Sequence, residues 1–271
     1  MIVKVLLEDT TDNKKLKTAH GLSLHIATND TTILMDLGPD DSYLKNAKKL
    51  GVKINEVDHL VISHGHYDHG ENIQKFFKKN SKANCYVSPN AFKDLAKKKQ
   101  RGYVEIGIKR PRSEKRLTYV EHNMDIDTNI HVFSEIPYVK NPIGDQYLFS
   151  YENGSYIPDH FDHEIFLVVE EDNKVVLFSG CSHKGIGHII KKIEQTLEKP
   201  ITHVIAGFHF SHYNSFHLAE ADYIQKLGAR FYDANREYYA CHCTGEEAFL
   251  DLKKEMKHKL KRIRTGSVIN I

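Results

Sequence analysis

The chain has 271 residues, 40% of them apolar and 27% charged, which is length enough for a sizeable core and a balance that excludes a disordered chain. Its 38 lysines and arginines against 36 aspartates and glutamates leave a net charge of +2, so no uniform basic face for gripping nucleic acid is indicated. Four cysteines have no even framework of spacings, the opening MIVKVLLEDTTDNKK is too briefly apolar for a signal peptide, and no apolar run reaches the ~20 residues of a membrane helix, so a cytoplasmic protein is expected.

In chain order, Ile2 to Leu7, Leu22 to Ala27 and Thr31 to Met35 read as strands separated by polar turns. Ser42 to Leu50 reads as a helix capped by Asp40 or Asp41 and ended by Gly51. His59 to Ile62 is a short buried strand running straight into the segment HGHYDHG. Gly70 to Lys79 and Ala91 to Lys99 read as helices, the second introduced by Ser88-Pro89, with a strand at Cys85 to Val87 between them.

From about 101 to 160 the pattern becomes irregular, with Pro111, Pro137, Pro142 and Pro158. Surface loops and short strands covering one end of the molecule are expected there. Regular signals then return. Ile165 to Glu170 and Val175 to Phe178 form a strand pair, followed by a helix from about Gly185 to Leu197 and a strand at His203 to Ala206. Helices follow at about Phe216 to Leu227, with Ser215 as cap, and at Glu246 to Lys257; Ser267 to Ile271 closes as a strand. Two strand-and-helix halves around a loop-rich middle predict two packed sheets with helices outside, in one domain over 1–271.

Histidine is the compositional anomaly, with 18 copies while tryptophan is absent. Three imidazoles and a carboxylate, His64, His66, Asp68 and His69, fall within six residues at a strand end. A glycine-bracketed turn can fan these side chains apart, so that His64 and His66 serve one ion while Asp68 and His69 serve a neighbour. Imidazole with carboxylate suits zinc, or iron or manganese in an oxygen-richer version.

This motif resembles the hallmark of the metallo-β-lactamase superfamily. The likeness extends to the branch of the methanogen dihydropterin ribofuranosyl-aminobenzene-phosphate synthase, through His20-Gly21-Leu22-Ser23, Ile33 to Gly38, Asp159 to Glu164, Ser179 to Ile186, Gly207-Phe208-His209 and His242 to Gly245. The resemblance implies an αββα sandwich, two packed mixed sheets with helices on both outer faces and a metal site on one rim. It implies two divalent metal ions, with His242 completing the site of Asp68 and His69. A thiol pair of Cys241 and Cys243 is the alternative reading of that segment.

Two turns common in the superfamily, T-P-x-H and T-G-D, are missing. Cys181 stands where the second turn would carry its bridging aspartate. His183 is the choice for the third imidazole beside His64 and His66, with His160 as the fallback. Asp36, at a strand end, matches a position that orients the histidine loop by hydrogen bonding. His209 and His20 are candidates to face the substrate, and Lys184, at a helix start, is a candidate to pair with a substrate phosphate.

The function expected is metal-dependent hydrolysis of a phosphoester or phosphodiester small molecule. Asp68 would hold the nucleophile, and His209 or Lys184 would offset developing negative charge. A pterin-pathway synthase-like enzyme and a non-catalytic metal-stabilised binding or sensor protein are the alternatives. The basic runs Lys93 to Arg101 and Lys253 to Arg264 read as solvated outer faces, so neither nucleic acid nor membrane is expected as a partner.

Overall fold

The computed structural model describes all of residues 1–271. Strands β1 (Ile2–Leu7), β2 (Ser23–Ala27) and β3 (Thr32–Met35) lead into helix α1 (Ser42–Lys49), and then come β4 (His59–Val61), α2 (Tyr67–Gly70), α3 (Ile73–Lys79) and β5 (Asn84–Val87). The middle carries β6 (Leu95–Lys99), β7 (Gly102–Glu105), β8 (Leu117–Tyr119), β9 (Met124–Asp127), β10 (Ile130–Phe133), β11 (Leu148–Glu152) and β12 (Ser155–Pro158). After it run β13 (Phe166–Glu171), β14 (Lys174–Ser179), α4 (Ile186–Leu197), β15 (His203–Ala206) and α5 (Leu218–Asp233). The chain ends with β16 (Glu237–Ala240), α6 (Glu246–Met256), β17 (Leu260–Arg262) and β18 (Val268–Asn270).

Two seven-stranded mixed sheets form the centre. One has the order β18-β1-β2-β3-β4-β5-β8 and the other β17-β16-β15-β14-β13-β10-β9. Val3, Val5, Ile33, Met35 and Val61 of the first sheet share one apolar core with Leu167, Val176, Phe178 and Ile205 of the second. The opposite face of the first sheet packs Leu34, Leu60 and Cys85 against Tyr43 of α1 and Ile73 and Phe76 of α3. On the far side of the second sheet, Val168, Leu177 and Val204 pack against Ile190 of α4, Leu227 of α5 and Leu252 of α6. Alternating apolar residues thus feed opposite faces of each sheet, and the layers run helix, sheet, sheet, helix, as the αββα expectation requires. No helix is long and apolar enough to cross a membrane.

The middle segment supplies edge strands to both sheets and builds a third sheet of its own, β12-β11-β6-β7. This corrects the helix expected over Ala91 to Lys99. Ser88 does cap a turn, its Oγ accepting the Asn90 amide at 3.2 Å, but that turn is a single 3-10 element ending at Phe92. From Leu95 onward the chain is extended and hydrogen-bonds to β11 and β7 on either side. Lysine's helical propensity is worth only a few tenths of a kcal/mol per residue, and pairing on both edges outweighs it. Two strands, β16 and β17, were not foreseen. Helix α5 starts at Leu218 after an N-cap at His217, whereas Ser215 spends its hydroxyl on Glu247.

Candidate metal centre

Parallel pairing aligns the carboxyl ends of β3 with β4 in one sheet and of β14, β15 and β16 in the other. Each strand delivers a functional residue just beyond its end: Asp36 after β3, Ser63 to His69 after β4, Cys181 and His183 after β14, His209 after β15, and His242 after β16. The crevice beyond the carboxyl ends of parallel strands is where open α/β sheets place ligands. Here it is a cavity of about 390 Å³ whose walls include His66, Asp68, Cys181, His183, His209 and His242.

The backbone is bent hard to achieve this. Asp36 (φ 61°), Phe161 (52°), Ser182 (58°), His209 (53°) and His242 (47°) all adopt the left-handed region without being glycine, at roughly 1–2 kcal/mol each. Strain of this kind gathers at functional sites. Gly21 contributes space: at φ 149° a Cβ there would lie 2.3 Å from the Asp68 carbonyl oxygen.

His64, His66 and His183 bring one ring nitrogen each to within 4.8 Å of one another. The hydrogen bonds fix the His64 tautomer. Ser63 donates its hydroxyl proton to Asp36 Oδ2 at 2.7 Å, so its oxygen accepts the Nδ1 proton of His64 at 2.9 Å. His64 Nε2 is therefore left as a bare lone pair. It has no protein partner, nor do His66 Nε2 or either nitrogen of His183. Burial, and then the neighbouring imidazoles, hold the pKa of His64 and His183 well below the ordinary histidine value. Burial and then His163 bring His66 down to about 3. These are neutral imidazoles, the ligand form. Each unpaired buried polar atom would cost about 1–3 kcal/mol, and a cation between them removes that cost. The residues fit a metal ion.

Surrounding groups hold this cluster. The ring of Phe161 stacks flat on His183 with centroids 4.3 Å apart. The Gly65 amide donates to His163 Nδ1 at 3.1 Å, so the His163 Nε2 proton goes to Asp159, also at 3.1 Å, and His163 braces the loop instead of ligating. Buried Glu164 accepts the backbone amides of His183 and Lys184 at 2.8 and 3.1 Å.

The second group is Asp68, His69 and His242. His69 gives its Nδ1 proton to Asp36 at 2.6 Å, and His242 gives its own to Asp9 at 2.7 Å. Their Nε2 atoms then face each other at 3.3 Å, with Asp68 Oδ2 3.7 and 3.4 Å away. Burial lowers the pKa of His242, but hydrogen bonds to Asp68 and Asp9 outweigh it and leave the value well above ordinary. Burial raises the Asp68 carboxyl, and His69 and His242 more than reverse it, so Asp68 is firmly ionised. This arrangement of two imidazoles and a carboxylate is an open three-ligand set.

Cys181 lies between the two groups. Its Sγ is 3.3 Å from His69 Nε2 and comes within 4.8 Å of ligand atoms of His64 and His69, of His183 and His209, and of His242 and Cys243. The position expected for a bridging carboxylate is thus filled by a thiol. Cys241 and Cys243 do not pair: Cys241 belongs to the apolar core between the sheets, whereas Cys243 Sγ accepts the His209 amide at 3.3 Å.

Other expected residues fall unevenly. His160 is exposed and stacks on Tyr138, away from the cluster, so His183 and not His160 accompanies His64 and His66. Asp36 orients the loop as expected, also accepting the Ser63 amide at 2.8 Å. His209 lines the cavity, both ring nitrogens unpartnered, and His20 reaches Asp68 at 3.5 Å from the rim. Lys184 does not line the cavity. It is 3% exposed, beside Glu164, because the turn after β14 is pulled inward by that carboxylate.

Sequence reasoning also missed Glu8, which accepts the His242 amide at 3.0 Å, and Asp9. Asp145 was missed too: it is 3.8 Å from His183 Nδ1 and 3.6 Å from His209 Nε2, and burial, despite His209, raises its pKa to about 7. An acidic pair after the first strand and a lone aspartate in an irregular stretch carry no local signal of these contacts.

The profile described as the metallo-β-lactamase superfamily matches residues 19–223. An uncharacterized protein of Methanocaldococcus jannaschii is 28% identical over 258 residues, covering 93% of this chain and 94% of that one. The 7,8-dihydropterin-6-methyl-4-(β-D-ribofuranosyl)-aminobenzene-5'-phosphate synthase of the same organism is 25% identical over 279 residues, covering 95% and 92%. A solved structure described as a metal-dependent hydrolase of the β-lactamase superfamily superposes with a TM-score of 0.81 at 27% identity, over 100% of this chain and 99% of that one. The fold, the strand-end histidine loop and these matches agree: the chain belongs to the metallo-β-lactamase superfamily, whose members bind divalent metal.

Proposed function

We propose that this chain is a metallohydrolase that cleaves a phosphoester or phosphodiester of a small molecule with two divalent ions, zinc foremost. The observation that carries the reading is the convergence of bare, neutral imidazole nitrogens from His64, His66 and His183 with no protein partner. His64, His66 and His183 would hold one ion, and Asp68, His69 and His242 the other. Bound divalent ions supply Lewis acidity, making water nucleophilic near neutral pH and polarising the scissile oxygen. Asp68, ionised and adjacent to His69 and His242, is placed to accept and orient the water's proton. His209, unpartnered in the cavity wall, offsets charge on the oxygen that becomes negative.

The likeness to a structure described as a metal-dependent hydrolase supports hydrolysis. A second reading, group transfer in pterin metabolism, is favoured by the near full-length match to the methanogen synthase. Four unpaired cysteines accord with a reducing, cytoplasmic setting. The test is elemental analysis of metal-replete protein combined with a phosphodiester panel in ¹⁸O-water. Label in the released phosphate supports hydrolysis; a metal-free, inactive chain refutes the proposal.

A further inference from the structure

Lys97 and Lys99 are two residues apart on β6, and the period of a strand puts both on one face. That face also carries Val104 of β7 and Leu148 of β11, each directly opposite Lys97 in the register. All four residues line the same cavity as His66, Asp68 and His242. The third sheet therefore contributes one wall of the metal pocket and brings two lysines into its lining.

What sets these two lysines apart is their place in the lining of the metal pocket, which they share with no other lysine or arginine. Lys93, earlier on the same segment, is tied to Glu152 and Asp162 at 3.2 and 2.7 Å. In the second basic run, Lys253 and Lys259 donate to backbone carbonyls, while Lys261 and Arg264 pair with Glu237 and Asp12. Lys97 and Lys99 have neither an ion pair nor a hydrogen bond within the chain. Glu105 is the one acid that this wall adds to the pocket, and it too forms no ion pair. Beyond the lysines the cavity opens into a shallow depression whose lining includes Tyr147 and His212. There the Tyr147 and His212 rings lie 5.5 Å apart.

Two lysines in the lining of the metal pocket, without an ion pair and beside the Tyr147 and His212 rings, are placed to receive an anion on a ring-bearing molecule. We infer that Lys97 and Lys99 form a second anion subsite, which binds a phosphate monoester carried by the substrate at a distance from the scissile bond. The substrate class is then a small ring-containing molecule with two phosphoryl groups, one cleaved at the metal centre and one gripped by the third sheet. The phosphate contact assigned from sequence to Lys184 passes to these residues, since Lys184 is buried outside the cavity.

This inference rests on the hydrolase reading but can be separated from it. The metal-replete protein is assayed with two chromogenic diesters: the 5'-(p-nitrophenyl phosphate) of thymidine, and the same ester bearing a 3'-phosphate. Charge-assisted hydrogen bonds to a dianion favour the second ester by about tenfold or more in kcat/KM. Lys97→Ala/Lys99→Ala brings that ratio near one, and Lys97→Arg/Lys99→Arg restores most of it. A ratio unchanged by the double alanine variant overturns the subsite. If neither ester is cleaved, the hydrolase reading fails, and the subsite is judged by calorimetric binding of the 3'-phosphorylated ester. Weaker binding by the alanine variant supports it, and equal binding by both proteins overturns it.

Discussion

His69 Nε2 and His242 Nε2 face each other at 3.3 Å although each ring already commits its Nδ1 proton to a carboxylate, Asp36 and Asp9. Two nitrogens in that position need a positive charge between or beside them: in the metal-free chain a proton on His242, shared with Asp68 Oδ2, supplies it, and a divalent ion would replace that proton. His69 follows β4 and His242 follows β16, strands of different sheets, and the two residues are 173 positions apart in the chain, so the packing of one sheet on the other is what brings these rings together.

The Asp36 carboxylate holds both groups of candidate ligands, through Ser63 to His64 and directly to His69. Asp36→Asn should weaken metal binding by about 10–100-fold, the usual consequence of losing a ligand-orienting partner. Competition with a chromogenic chelator measures this. Wild-type affinity in a folded Asp36→Asn protein would show that the ring orientations are set elsewhere.

His66→Ala should abolish phosphodiester turnover while leaving the far-UV circular dichroism intact. The ring sits on a loop at the rim and makes no hydrogen bond with its Nε2, so its removal takes away a ligand without opening the core between the sheets. Retained activity would falsify the assignment of His66.

Chelator titration should proceed in two phases, because a thiol, Cys181, stands where a charged bridge would stabilise a second ion. His242→Ala is expected to erase the weaker phase and spare the stronger. His183→Ala is expected to damage the stronger phase, while His160→Ala leaves both unchanged, its ring being exposed on Tyr138. A dominant effect of His160→Ala would contradict the geometry.

Asp145 supplies a pH dependence. Burial raises its carboxyl to about 7 from an ordinary 3.8, against the pull of His209. The folded metal-free chain therefore keeps a proton there that the unfolded chain releases near pH 4. The stabilisation is complete below that pH and is lost as pH rises through about 7. Thermal unfolding of the metal-free protein from pH 4 to 8 should fall less steeply for Asp145→Asn than for wild type, with the variant the more stable above pH 7. Parallel curves would rule out a protonated Asp145.

The local pattern alone determined a good part of this molecule. Period-two alternation in Ile2 to Leu7 and the apolar run before Ser63 mark strands because each must bury a face, and H-x-H-x-D-H marks metal because few other structures gather three imidazoles and a carboxylate in six residues. Resemblance supplied His242 and placed the metal site on one rim of the sandwich. Only the tertiary structure chose His183 over His160, parted Cys241 from Cys243, buried Lys184, and turned Leu95 to Lys99 into a strand. The deciding partners lie outside the local segment: Glu164 for the turn that carries His183 and Lys184, and β11, on the far edge of the β6–β7 hairpin, for Lys97. A sequence displays the periodicity of an element and the chemistry of a side chain, but which strand ends share a rim is decided by sheet pairing, and that pairing is a property of the whole folded chain.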